Sequence, residues 1–235
     1  MKRITLIAAF ILTSAASFAQ ISIVPKAGIT FTKVSSEEED FFEVGLRLGY
    51  TFGAGFNIAL GEIFSLQPEL SFIQKGVKSS YEESLTDLSI RYEMKQETNV
   101  GINYIEIPVL ARATFGSGTR FFVNAGPSIG VGLGGKAKFS GTYKAYDNSE
   151  LVFSESESED FKVKFGSSSD EESEDVYLDN RIDIGVQFGI GALIADKIVV
   201  DLRYGMGLTS LSDDSDSDAF NRVFQFTVGM PLRLK

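Results

Sequence analysis

Apolar and polar positions alternate without a break over residues 44–60, VGLRLGYTFGAGFNIAL. Val44, Leu46, Leu48, Tyr50, Phe52, Ala54, Phe56, Ile58 and Leu60 share one parity. Gly45, Arg47, Gly49, Thr51, Gly53, Gly55, Asn57 and Ala59 share the other. A period of two is a β-strand with two unlike faces. The run exceeds the usual strand of about 5–6 residues, and it suits a tilted membrane-crossing strand of about 9–11 residues with some overhang.

The same alternation recurs along the chain and predicts eight strands, at residues 21–31, 44–60, 63–78, 99–115, 120–133, 181–194, 198–208 and 222–234. Pro68 falls inside the third although it cannot donate to a ladder. Tyr104 and Leu110 interrupt the polar face of the fourth. The connections alternate in length. Gly61-Glu62, residues 116–119 and Asp196-Lys197 are short, whereas residues 35–40, 79–98, 134–180 and 212–218 are longer and polar. Residues 79–98 read as a connection or an extension of the flanking strands. Residues 138–146 and 161–165 are expected to pair as a hairpin beyond the membrane. The prediction is an all-β fold, an eight-stranded antiparallel up-and-down transmembrane β-barrel with short periplasmic turns and long extracellular loops.

The composition of the two faces decides which one is enclosed. The bulky face carries almost no charge over eight strands, as contact with lipid requires. The other face is mostly Gly, Ser, Thr and Asn with about one charge per strand, a poor solubilising surface but a good filling for a narrow interior. A soluble barrel with an apolar inside would need the reverse. The expected lumen charges are Lys26, Arg47, Lys75, Arg112, Arg203 and Arg233 against Glu69, Glu106, Asp183 and Asp201. They are read as a structural polar core, paired because isolated buried charge is costly, in preference to a proton or ion path. Tyr50, Phe56, Phe64, Phe72, Phe115, Phe121 and Tyr204 are candidates for aromatic belts at the two interfaces.

Targeting and charge sharpen this picture. Lys2 and Arg3 precede a short apolar run at residues 4–12, and Ser17-Phe18-Ala19 reads as a small-x-small cleavage site. Residues 1–19 are thus expected to be a cleaved signal peptide, leaving residues 20–235 as the barrel. Loss of Lys2 and Arg3 leaves 20 basic residues against 32 acidic, a net charge of −12, which argues against nucleic acid as a partner. Cysteine, histidine and tryptophan are absent.

Residues 103–115, NYIEIPVLARATF, together with SLQPELSFIQKG at 65–76, AGPSIG at 125–130 and LRYGMGLTSL at 202–211, resemble the Bacteroidota outer-membrane β-barrel family that includes PorT-like proteins. The resemblance covers the whole mature chain in the same order. It implies an eight-stranded barrel of the OmpX/OmpA-like kind, inserted by the barrel-assembly machinery into outer-membrane lipid. Most such proteins have no assigned activity, and PorT itself is tied to protein secretion and gliding-type systems.

Without histidine, neither a Ser-His nor an Asp-His device can be built. Glu69 and Glu106 share a face, but a filled lumen offers no substrate pocket. The expectation is therefore a non-enzymatic membrane anchor without cofactor, presenting acidic loops to a surface partner. The runner-up is a narrow pore or an accessory of a secretion complex. Residues 37–40, 147–179 and 213–218 hold 20 of the 32 acidic residues. Acidic, Ser-rich runs of this kind are usually solvated loop. Weak divalent-cation binding is the sharper reading, with Asp213, Asp214, Asp216 and Asp218 as the best candidate ligands.

Overall fold

A computed structural model describes residues 21–36, 43–87, 90–166, 175–211 and 219–233. Among these every regular element is a strand. They are β1 (Ile21–Ser36), β2 (Glu43–Gly45), β3 (Arg47–Ala59), β4 (Phe64–Asp87), β5 (Ile90–Phe115), β6 (Arg120–Asp147), β7 (Glu150–Phe165), β8 (Val176–Leu178), β9 (Ile182–Ile194), β10 (Ile198–Gly207), β11 (Ala219–Gly229) and β12 (Leu232–Arg233). Eight of them form a closed antiparallel ring, in the order β1, β3, β4, β5, β6, β9, β10, β11 and back to β1. Closure runs from Lys26↔Gly229 to Ser36↔Ala219, and it removes the open edges that a flat sheet would expose.

The alternation in sequence becomes an alternation in burial. Thr30, Thr32, Thr51, Ser65, Gln67, Ser71, Asn124, Ser128 and Thr227 point inward and are buried. Their neighbours Phe31, Leu48, Leu70, Phe121, Val123, Phe226 and Val228 point outward, with Leu48 and Phe121 more than 60% exposed. On that outer surface Tyr50, Phe52 and Phe72 stack with ring centroids 5.1–6.5 Å apart. Pro68 lies within β4, and the β3–β4 pairing lapses at Gln67 and Pro68, as a residue without an N–H allows; the β4–β5 lapse at Glu69 and Leu70 stands opposite Pro108.

One end of the ring is trimmed. Leu60 closes its turn by donating to Phe64 O at 2.9 Å. Ala195 and Asp196 take positive φ (51° and 58°) while Lys197 N donates to Ile194 O at 3.0 Å, a type I′ hairpin turn whose twist matches that of the strands. The other end is elaborated. β4 and β5 stay paired out to Asp87↔Ile90, and β6 and β7 out to Asp147↔Glu150, so four strands rise as a sheet above the rim. Residues 79–98 are thus extensions of the flanking strands, and β6 runs on to Asp147 through what the sequence marks as connection. The expected hairpin forms in a different register. Residues 138–146 pair with 151–160, while Phe161 and Val163 face Ala137 and Gly135. The extra residue taken up between Asn103 and Tyr104 in the β5–β6 pairing is a bulge that bends the sheet. The long even-parity run at 44–60 is broken at Leu46, between β2 and β3.

The interior is layered. Near the elaborated end an apolar cluster of Ile73, Ile102, Tyr104, Ala137, Val163 and Val223 is covered by Phe161, Phe165, Val176 and Leu178. β8, lying parallel against β7 at Val163↔Val176, carries the last two of these covering residues. The Phe165 ring meets Tyr104 edge-on at 6.2 Å and lies against Gly132, where a side chain would collide with it. A second apolar cluster, Val24, Phe122 and Val199 with Leu193 beside it, sits near the trimmed end. The charged residues lie between them.

Candidate functional site

Eight of the ten expected lumen charges are brought into two clusters. In the first, Glu69 on β4 accepts from Lys26 Nζ on β1 at 2.5 Å and from both terminal nitrogens of Arg203 on β10 at 2.7 and 2.8 Å. β4 and β10 stand opposite one another in the ring, so this bidentate pair, the strongest arrangement open to arginine and carboxylate, spans the lumen. Arg203 also donates to Asp201, and Gln67 donates to Glu69. Asn124 Nδ2 reaches Asp201 Oδ1 at 3.3 Å. Arg112 on β5 stands 3.8 Å from Asp201 Oδ2, with its guanidinium 3.7 Å from the Phe122 ring centroid.

In the second cluster Lys75 on β4 donates to Glu106 Oε1 on β5 at 2.6 Å and to Asp183 Oδ2 on β9 at 3.0 Å. Two neutral side chains add to the pairing, while Asp183 Oδ1 is left without a partner. Gln187 Nε2 donates to Glu106 Oε2 and Asn221 Nδ2 to Asp183 Oδ2, both at 2.8 Å. Lys75 Nζ also lies 5.1 Å from the centre of the Tyr104 ring. Together the clusters hold four cations and four carboxylates, and every one of these side chains is at most 8% exposed. A low-dielectric interior accepts that many charges only when they are paired and hydrogen-bonded.

Arg47 departs from the expectation. Its guanidinium leaves the lumen set and binds Asn99 Oδ1 at 2.8 Å and Gln74 Oε1 at 3.1 Å, lying against Gly101. The physical reason is the break at Leu46. β2 is aligned on β4 at Gly45↔Lys78 and β3 at Thr51↔Ile73, so six residues on one strand match five on the other and the regular parity does not carry through Arg47. The side chain of Arg233 lies outside the described residues, as do Asp213, Asp214, Asp216 and Asp218. Among the described residues no group of three or more acidic side chains is placed to hold a metal ion. The neutral partners Gln67, Asn124, Gln187 and Asn221 complete the network. Alternation puts the first three on the inner face, but nothing in the sequence marks which carboxylate each one serves.

The space left beside Lys75, Glu106, Asp183 and Asn221 is about 10 Å³, the lower limit for a single water. The arrangement therefore braces strands across the barrel.

The outer membrane protein beta-barrel domain model matches residues 17–213. No curated protein matches the chain. Among solved structures the chain is similar to Ail, the attachment invasion locus protein of Yersinia pestis, at 14% identity over 91% of this chain and 99% of that one, with a TM-score of 0.41. It is also similar to Neisserial surface protein A, at 11% identity over 88% and 96%, with a TM-score of 0.36. The match to the family model covers most of the sequence, and the chain belongs to the family of outer membrane protein beta-barrel domains.

Proposed function

We propose that this protein is a non-enzymatic anchor of the outer membrane, which holds its four-stranded acidic outer sheet and loops clear of the lipid as a contact surface. The observation that carries this reading is the filled lumen. Two ion-paired clusters occupy its middle, and an apolar plug around Tyr104 and Phe165 closes the elaborated end. A pore would need continuous space where these side chains sit. The short turns face the periplasm in this reading, and β4–β7 stand outside the cell. Lipid contacts the outward apolar band, and the barrel-assembly machinery inserts it. The absence of histidine supports the lack of enzymatic chemistry.

Planar-bilayer recording of the refolded protein tests the anchor against the pore. Silence is expected, and stable conductance steps would overturn the reading. Residues 1–19 are removed on export, so mass spectrometry of the native protein should find Gln20 first. The acidic loops are proposed to bind Ca²⁺ weakly. Calorimetric titration that gave no heat and no change in loop proteolysis would dispose of that part. The PorT-like resemblance favours a second reading, a passive component of a secretion complex. Crosslinking and pull-down from native outer membrane should then recover secretion components.

A further inference from the structure

The trimmed end of the barrel does not close over its interior. A cavity of about 470 Å³ opens there, walled by Val24, Phe122, Leu193 and Val199, with Asn57 and Thr114 on its polar side. Three charged residues line it: Arg120 and Asp196, which pair with each other at 2.6 Å, and Arg112. Pockets of about 300–1,000 Å³ with apolar walls and a few polar groups are the usual shape of small-molecule sites.

Arg112 makes this one more than a dimple. It is 6% exposed, and its Nε and Nη2 have no hydrogen-bond partner. The nearest carboxylate, Asp201, is 3.8 Å away and is already held by Arg203 and Asn124. The cluster to which Arg112 belongs has three cations, Lys26, Arg112 and Arg203, for two carboxylates, Glu69 and Asp201. The balancing negative charge lies in the other cluster, where Glu106 and Asp183 share Lys75. Nε and Nη2 are sealed from solvent, so an anion in the cavity would meet the guanidinium through the part that lines it, with the Phe122 face holding it flat.

We propose that this mouth binds a small organic anion, a carboxylate with a short apolar tail, whose head pairs with Arg112 and whose tail lies against Val24, Phe122, Leu193 and Val199. The site goes beyond the anchor role and opens on the opposite end of the barrel from the outer sheet. The walls distinguish this ligand from a bare inorganic anion, since they offer a tail apolar surface that chloride or phosphate cannot use.

The test uses the intact barrel in lipid nanodiscs and titrates it calorimetrically with hexanoate, hexan-1-ol, phosphate and hexyltrimethylammonium. Hexanoate should bind saturably at one per chain. Hexan-1-ol should bind about tenfold more weakly, the worth of one charge-assisted contact. Arg112→Gln should remove that tenfold preference and leave hexan-1-ol unchanged. Val199→Phe, which fills the cavity and touches no charge, should abolish binding of both. Equal affinity for hexanoate and hexan-1-ol, equal binding by phosphate, preference for the ammonium compound, or no binding of hexanoate would each overturn the proposal. If Arg112→Gln fails to fold, as judged by loss of the heat-dependent gel shift, Val199→Phe decides: retained hexanoate binding overturns the site, and loss supports it.

Discussion

Lys75 is the sharpest place to test the idea that paired charge holds the barrel together. Its ammonium sits between two carboxylates, at 2.6 Å from Glu106 and 3.0 Å from Asp183, and all three side chains are at most 6% exposed. Lys75→Met keeps most of the volume and leaves two buried carboxylates facing one another with no cation between them. Removing one partner from a buried pair costs about 3–5 kcal/mol. Two orphaned anions put the expected loss at the upper end, several thousandfold in the folding equilibrium. Lys75→Met/Glu106→Gln/Asp183→Asn removes all three charges, and its amides can still meet Gln187 and Asn221. That variant should lie within about 1–2 kcal/mol of wild type, the scale of one or two altered hydrogen bonds. Equilibrium unfolding by urea in lipid vesicles, followed by the heat-dependent shift on gels, measures both. A Lys75→Met protein within about 1 kcal/mol of wild type would refute the reasoning, because no buried-pair cost is that small. So would a triple variant as unstable as the single one, since the loss would then come from packing and not from unpaired charge.

Three further outcomes follow from the geometry. Leu202→Arg, on the outward face beside Ile190 and Phe226, should cost about 2–4 kcal/mol in a bilayer; urea unfolding in vesicles reads it, and no loss would mean that this face is not in lipid. Gly132→Ala places a methyl where the Phe165 ring lies and should cost about 1–3 kcal/mol by overpacking; the same substitution made in a Phe165→Ala background should cost little beyond Phe165→Ala alone, as read by proteolysis of the β7–β8 segment. Lys164 donates to Asp175 at 2.5 Å, and that hydrogen bond holds the Asp175 carboxyl below its ordinary value. A depressed carboxylate stabilises above its unfolded value of about 3.9 and loses that contribution as the pH falls. The amide signals of Val176, Tyr177 and Leu178 should therefore be insensitive to pH from 7 to 5 and shift only below about pH 4.

Alternation made the membrane-embedded half of this molecule readable. When one face meets lipid and the other a narrow lumen, each residue has only one acceptable parity, which is why even the odd members Tyr104 and Leu110 could be placed inside, where both are fully buried. Above the rim that constraint lapses. β7, with its Ser-Glu repeat, has the composition of a loop, and pairing with β6 makes it a strand. Arg47 shows the limit from the other side. Counting by twos fails at a break in the strand, and the break itself has no mark in the sequence. Parity also says nothing of depth, so the ten candidate charges could be assigned to a face but not sorted into their two clusters.

The far side of β7 has no neighbouring strand along Glu150–Asp160 among the described residues. Such a border invites another copy of the same protein to zip onto it. Here Glu155, Glu157 and Glu159 occupy one side and Ser154, Ser156 and Ser158 the other. Two such borders brought together with matching sides would set glutamates against glutamates at about 5 Å, a mutual repulsion repeated three times over. A run of acids that looks like mere solvated filler thus acts as insulation: neighbouring copies crowded in the same membrane slide past each other instead of polymerising.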